Sequence, residues 1–258
     1  MDGDLQPGDC VSLDHFESHI RGRLPGTTGK EKERDCYCGG LIAVDHASGY
    51  IYVNCQVSLR ADDTIASKKK FEIFARKNGV SIKKYHTDNG TFDSVAFRTE
   101  LETLEQDLDF SGVGAHHQNG VAERGIQTIT RWARTMVLHA AIHWPEEADL
   151  ALWSFALEYA AFIWNHLPRE NHCLSPEEIF TSTKSKDYSN ILRTHVWGCP
   201  VYVLDPRLQD GKKVPKWQPR SKRGQFLGFS PEHSSRISLV RNLTTGYVSS
   251  QFLVNDER

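Results

Sequence analysis

One stretch constrains this chain more than any other: His116-His117-Gln118-Asn119-Gly120-Val121-Ala122-Glu123-Arg124 and the pattern that follows it. Asn-Gly is a turn signal, because glycine takes backbone angles that other residues avoid. Directly beyond it, apolar or small residues recur at Ala122, Ile126, Ile129, Ala133, Met136, Val137, Ala140, Ala141 and Trp144. Spacing that alternates between three and four predicts an amphipathic helix with one buried stripe. Glu123 stands beside that stripe. Gln127, Thr130 and Arg134 follow it along one face, and Arg124 and Arg131 flank them. A carboxylate in a first helical turn is favoured by the helix dipole wherever it is solvated. Glu123 alone therefore argues no chemistry.

The rest of the chain supplies the context. Its 258 residues suit one large domain, or a core domain with an appendage. With 39 % apolar and 25 % charged residues it reads as a soluble globular protein, and no apolar run reaches membrane-spanning length. The start lacks the layout of a signal peptide. The formal charge of -2 excludes a general polycation, so contact with nucleic acid has to come from local basic patches. The six cysteines form no Cys-x-x-Cys pair, and the 12 histidines join them in no zinc-finger spacing. Reduced, mostly buried, intracellular cysteines and no structural zinc are the expectation.

In chain order, residues 1–9 read as a flexible end. Cys10 to Phe16 alternates as a strand with Asp14 near its middle, and 17–34 is polar enough for a loop or an extended hairpin arm. Cys38 to Val44 and Tyr50 to Val57 predict a hairpin that extends the first strand into a meander. A helix is expected from Asp62 to Asn78, with Ile65, Phe71, Phe74 and Ala75 inward and Lys68, Lys69 and Lys70 outward. A fourth strand, Val80 to Thr87, delivers Asp88-Asn89-Gly90 at its carboxyl end. A helix from about Asp93 to Asp107 and a short strand from Leu108 to Val113 then imply parallel pairing with helical crossovers. After the long helix, Glu146 to Leu167 is apolar nearly all round, which predicts a buried helix that fits a dimer surface or a domain interface.

Ser175-Pro176-Glu177-Glu178 is a helix start. Beyond a polar linker, β-like runs at Val196 to Leu204, Gly224 to Phe229, Ile237 to Val240 and Tyr247 to Val254 predict a small antiparallel barrel. Between the first two runs lie Arg207, Lys212, Lys213, Lys216, Arg220, Lys222 and Arg223 against one acid, Asp210, with Trp217 among them. A basic loop of this kind can be a solvated turn or a grip on phosphates. The expected division is a catalytic core over 10–170, a linker with a short helix over 171–194, and the barrel over 195–258.

Asp14, Asp88 and Glu123 can converge, because sites in open sheets form outside the carboxyl ends of central strands. Clustered carboxylates with oxygen-only donors select Mg²⁺ or Mn²⁺ over zinc. Two such ions can clamp the attacking and leaving oxygens of a phosphodiester. Asp45 is a rival for the first acid, but it stands at the hairpin turn.

At these residues the chain resembles the integrase segment of copia-type (pseudoviral) LTR-retrotransposon polyproteins. Ser12-Leu13-Asp14, Thr87-Asp88-Asn89-Gly90 and Gln118-Asn119-Gly120-Val121-Ala122-Glu123-Arg124 carry the likeness. Trp197-Gly198-Cys199-Pro200-Val201-Tyr202 and Arg223-Gly224-Gln225-Phe226-Leu227-Gly228-Phe229 extend it, so that it covers about residues 10 to 256.

The resemblance implies an α/β, ribonuclease-H-like mixed five-stranded sheet flanked by helices, followed by an SH3-like barrel. Asp14, Asp88 and Glu123 would be both catalytic residues and ligands of two Mg²⁺ (or Mn²⁺) ions. The reaction implied joins 3′-hydroxyl ends of element DNA to target DNA by transesterification, with possible trimming of the ends. DNA would meet Gln118, Asn119, Arg124, Gln127, Arg131 and Arg134 on the helix, with Asn119 either capping it or touching DNA. Lys212, Lys213, Lys216, Arg220, Lys222 and Arg223 would meet DNA on the barrel. Element ends, target duplex and a homo-oligomeric assembly are the implied partners, with no membrane and no small-molecule cofactor. The implied setting is the nucleus after a cytoplasmic particle stage.

The chain departs from the pattern in places. Asp88 and Glu123 are 35 positions apart, one fewer than usual, and residues 112–117 lack a proline-tyrosine loop. Gln127 and Thr130 stand where retroviral relatives carry DNA-binding lysines. The expected upstream zinc module is not in this sequence, which reads as a fragment or a processed piece. Two other readings follow: a decayed DNA-binding remnant, or a ribonuclease-H-type nuclease using His86, His116 or His117.

Overall fold

The computed structural model describes residues 5–88, 91–111, 119–170, 173–184, 189–192, 194–209, 211–233, 237–251 and 254–256. Strands β1 (Val11–Gly22), β2 (Tyr37–Asp45), β3 (Ile51–Gln56), β4 (Lys84–Thr87) and β5 (Asp107–Phe110) form one mixed sheet in the order β3-β2-β1-β4-β5. The meander β1–β2–β3 is antiparallel, while β4 and β5 join in parallel. The crossovers are α1 (Ala61–Lys77) and α2 (Val95–Thr103). The polar arm after Asp14 continues β1 to Gly22, with an irregular register between Glu17 and Gly22.

The two-residue period of a strand divides the core into two. On β2, Leu41 and Ala43 join Val11, Leu13, Phe71, Tyr85 and Leu101 under α1 and α2. Ile42 and Val44 point the other way, into a second core with Ala122, Ile129 and Ala133 of α3 (Gly120–His143) and with α4 (Trp153–His166). The helix foreseen from Glu146 begins later. Asp149 accepts from the Ala151 amide and caps a 3₁₀ turn, so α4 proper starts at Trp153. Ser175 and Glu178 close a reciprocal capping box on α5 (Pro176–Thr181).

Lys68 overturns one expectation. It is fully buried, not outward, because its ammonium pairs with Glu72 one turn on and lies over the Tyr85 ring.

A second, antiparallel sheet contains β6 (Pro200–Leu204), β7 (Ser221–Phe229), β8 (Ser238–Asn242), β9 (Val248–Gln251) and β10 (Val254–Asp256), in the order β10-β6-β7-β8-β9. It does not stand apart. Phe226, Leu227, Leu239 and Val248 share the α3–α4 core, and Tyr159 of α4 meets Phe226 edge to face at 5.4 Å. Of the two roles foreseen for this apolar helix, α4 serves as the interface between the sheets. Arg23 and Arg241 both reach Asp149, at 3.6 and 3.5 Å, and Arg223 pairs with Glu147 at 2.9 Å, which ties the α3–α4 connection to both sheets.

α3 lies close on β2 because Gly125 has no side chain. A Cβ there would stand 2.8 Å from Cγ2 of Val44. Gly125→Val is expected to push α3 off the sheet and lower unfolding free energy by about 2–3 kcal/mol, as overpacking does. Chemical denaturation checks this, and an unchanged midpoint would contradict the close approach.

Among the described residues no helix is long and apolar enough to cross a membrane, and none of the six cysteines is in a disulfide.

Candidate active site

Register brings the first acid to the α3 side of the sheet. Asp14 pairs across to Ile42, and Ser12 to Val44, so Asp14 shares its face with the residues that pack on α3. On the other side β4 runs parallel, with Ser12 opposite His86. Asp88 lies two residues past His86, as Asp14 lies two past Ser12. Glu123 is in the first turn of α3, two residues before Gly125, whose close approach to Val44 and Ile42 seats the helix on β2.

The electrostatics agree with this placement. Asp14 is partly buried, and burial chiefly raises its carboxyl to about 6. The His15 backbone N–H, donating to Asp14 Oδ1 at 2.8 Å, opposes the rise, while the charges of Asp88 and Glu123 add to it. Asp14 therefore feels both other acids. Among the described residues, no group of three His, Cys, Asp or Glu side chains is close enough to hold a metal ion as it stands. The rival Asp45 is otherwise engaged: it is buried and accepts from the backbone N–H groups of Gly8 and Ser48 and from the Ser48 hydroxyl.

Asn119 corrects its expected role. Its side chain neither caps α3 nor is free for DNA: it is 1 % exposed, and its amide donates to the Leu13 carbonyl at 3.1 Å. The helix start is thus fastened to the strand residue next to Asp14. Asn119→Ala is expected to lower any metal-dependent activity by about ten-fold, the effect of a small misplacement of Glu123. A variant with full activity would sever that link. Sequence reading also passed over His15, whose ring stacks on Phe92 at 4.6 Å and shares a 3.0 Å hydrogen bond with Thr64. Burial lowers its pKa to about 4, so it is a neutral prop beside Asp14. The only signal for it was its position next to the acid.

Arg124, Gln127, Arg131 and Arg134 are all exposed on α3. At about 100° per residue they form one stripe beside Glu123. Gln118, His116, His117, Asn89 and Gly90 lie outside the described residues. On the second sheet Lys212, Lys213, Lys216, Arg220 and Lys222 are exposed, and so is Trp217, at 90 %. The Lys216 ammonium stands 5.6 Å from the Trp217 ring centre. The cations foreseen in this loop are not all equivalent, since Arg207 is paired with Asp205 and Arg223 with Glu147.

No protein-family model matches the chain. A retrovirus-related Pol polyprotein from transposon TNT 1-94 of Nicotiana tabacum is 26 % identical over 179 residues, covering 67 % of this chain and 13 % of the polyprotein. The chain thus spans a small part of that relative's length. The magnesium-bound catalytic core domain of HTLV-2 integrase, in its dimeric form, is 18 % identical with a TM-score of 0.49, over 69 % of this chain and 99 % of its own. A chain of the simian T-cell lymphotropic virus intasome, solved in complex with PP2A regulatory subunit B56 gamma, is 15 % identical with a TM-score of 0.52. That match covers 98 % of this chain and 80 % of the other, so the shared fold takes in both sheets. The chain is thus similar in sequence to part of a retrovirus-related Pol polyprotein and in fold to a chain of a retroviral intasome.

Proposed function

We propose that this chain is a DDE-type DNA integrase, which joins 3′-hydroxyl ends of element DNA to target DNA. The observation that carries the reading is the setting of Asp14: Asp88 follows directly on the end of the neighbouring strand, Glu123 lies in the first turn of the helix on the same side of the sheet, and both charges help to raise the Asp14 carboxyl. An all-carboxylate donor set fits a hard divalent cation, so Asp14, Asp88 and Glu123 would hold Mg²⁺ or Mn²⁺, two ions in the full form. Such ions, when bound, activate the attacking hydroxyl and stabilise charge on the phosphoryl oxygens.

The chain's own residues would do the rest. Asn119 and Gly125 fix the height of Glu123 above the sheet. The Arg124, Gln127, Arg131 and Arg134 stripe would position a DNA backbone beside the acids, since phosphate contacts set register without reading sequence. Lys212, Lys213, Lys216, Arg220 and Lys222 would grip a second stretch. Arg223, held by Glu147, would contribute by orienting β7. Residues 10–170 would be the catalytic unit and 195–258 a barrel-like DNA-binding unit. Chain reach supports the barrel: β9 and β10 are opposite edges of the sheet, yet Gln251 and Val254 are three residues apart, within about 11 Å. Exposed Leu138 and Ile142, 50 % and 76 % accessible and four apart on α3, would suit contact with a second copy.

Replacing Lys212, Lys213 and Lys216 together with glutamate is expected to reduce the slope of log affinity against log salt by about 2–3 for duplex DNA. Fluorescence anisotropy across a salt series reads it, and an unchanged slope would remove this loop from the interface. The reaction itself is tested with short duplexes carrying element ends, beside an RNA–DNA hybrid of equal length, in Mg²⁺ or Mn²⁺. Joined duplex products support the integrase. Hybrid cleavage without joining would transfer the site to a ribonuclease-H-type nuclease, and DNA binding without either reaction would mark a decayed remnant.

A further inference from the structure

Away from the three acids, a cavity of about 890 Å³ opens between β3, α4 and the β7–β8 end of the second sheet. Its walls include Tyr52, Tyr159, Phe162 and Phe229, together with Glu158 and Glu177. Phe162 meets Phe229 at 5.2 Å and stacks parallel to Tyr159 at 6.0 Å, which makes a continuous aromatic wall. The wall depends on Gly228. Its φ of +123° and the register shift after Phe226 bulge β7 against Tyr159, where a Cβ would already stand 3.3 Å from the ring.

The carboxylates of this cavity are Glu158 and Glu177. Among the described residues neither lysine nor arginine lines it; the titratable groups on its wall, besides the tyrosines, are Glu158, Glu177, His166 and His233. Glu177 is paired with His166 at 2.5 Å. Glu158 has no such partner: among the described residues it makes no hydrogen bond or ion pair, and Lys70 is the charge that eases its ionisation. It is hemmed in by protein, while part of its surface stays accessible. Burial raises its carboxyl to about 7. An unpaired buried acid is unfavourable unless something compensates it.

We infer that this cavity is a binding site for a small organic cation, an alkylammonium or guanidinium group paired with Glu158 and faced by Phe162, Tyr159 and Phe229. Aromatic faces attract such cations, and a desolvated carboxylate beside them strengthens the pairing. A phosphate would face the carboxylates of Glu158 and Glu177 here. The size suits one small molecule or one inserted side chain.

Calorimetric titration of the full chain with spermidine and, separately, with N-acetyl-arginine methylamide tests the site. Saturable one-to-one binding of either is expected, weakened about ten-fold or more in Glu158→Gln, which removes the charge and keeps the shape. Phe162→Leu, which trims the wall and leaves the acid, is expected to weaken it about two- to five-fold. Binding of spermidine alone assigns a free polyamine, and binding of the arginine probe alone assigns a guanidinium side chain. No saturable binding of either probe at millimolar concentration, or equal binding by both variants and the unaltered chain, would overturn the inference. Thermal melts of each variant confirm that the chain titrated is folded.

Discussion

Asp14→Asn is expected to make the metal-free protein more stable at neutral pH while abolishing DNA joining. The sign follows from the raised carboxyl, about 6 in the folded chain against 3.8 in an ordinary aspartate. A raised pKa means that the neutral acid favours the fold. That contribution is fully present below about pH 4 and is lost as pH rises through about 6. Near pH 7 the ionised Asp14 therefore burdens the fold, and asparagine relieves it. After allowance for solvent screening at a partly exposed group, the gain is about 1 kcal/mol, a melting shift of about 2–4 °C for a chain of this size. Joining should fall by about 10³-fold or more, the scale seen when one member of a cooperating catalytic set is lost. Melting curves at pH 4 and pH 7 read the first effect. A loss of stability at pH 7 would mean that Asp14 is a structural residue and not one held at a cost for function.

Glu72→Leu is expected to destabilise the fold by about 3–5 kcal/mol, the penalty for leaving a buried charge without its partner. Glu72 Oε1 lies 2.7 Å from the Lys68 ammonium and accepts from the Tyr85 hydroxyl at 2.9 Å and from the Gln106 amide at 2.7 Å. Lys68 is fully buried and has no route to water without moving α1. Adding Lys68→Met to Glu72→Leu should recover most of the loss, because two apolar groups of similar volume need no partner. Urea unfolding of the two single variants and the double variant gives the coupling. A double variant no more stable than Glu72→Leu alone would show that Tyr85 and Gln106, not Lys68, depend on the carboxylate.

The legible parts of the fold were those written in period. Alternation gave the β1–β2–β3 meander, and three-and-four spacing gave α3 with Glu123 in its first turn. What periodicity could not show was partnership. Lys68 looked like one of three solvated lysines, because its burial depends on Glu72 and on Tyr85, a strand residue whose side-chain direction no local pattern fixes. Asn119 looked like a helix cap, because the Asn-Gly signal is local; its partner, the Leu13 carbonyl, is 106 residues away. The apolar helix α4 suited either a second copy or a second domain. Packing of Tyr159 and Phe162 on β7 puts it between the two sheets. The acids of the candidate site were readable as residues, and the side of the sheet that Asp14 takes followed only from strand register. The cavity around Glu158 had no signal in the sequence at all, since its walls come from elements far apart along the chain.

The central claim is that Asp14, Asp88 and Glu123 act together as one metal-dependent site for DNA joining. A strand-transfer assay in Mg²⁺ and Mn²⁺, with duplex-DNA affinity measured on the same samples, tests it on the unaltered chain beside Glu123→Gln. Joined products from the unaltered chain, and none from a Glu123→Gln protein that binds DNA equally well, are the expected result. Equal joining by both proteins would contradict the account.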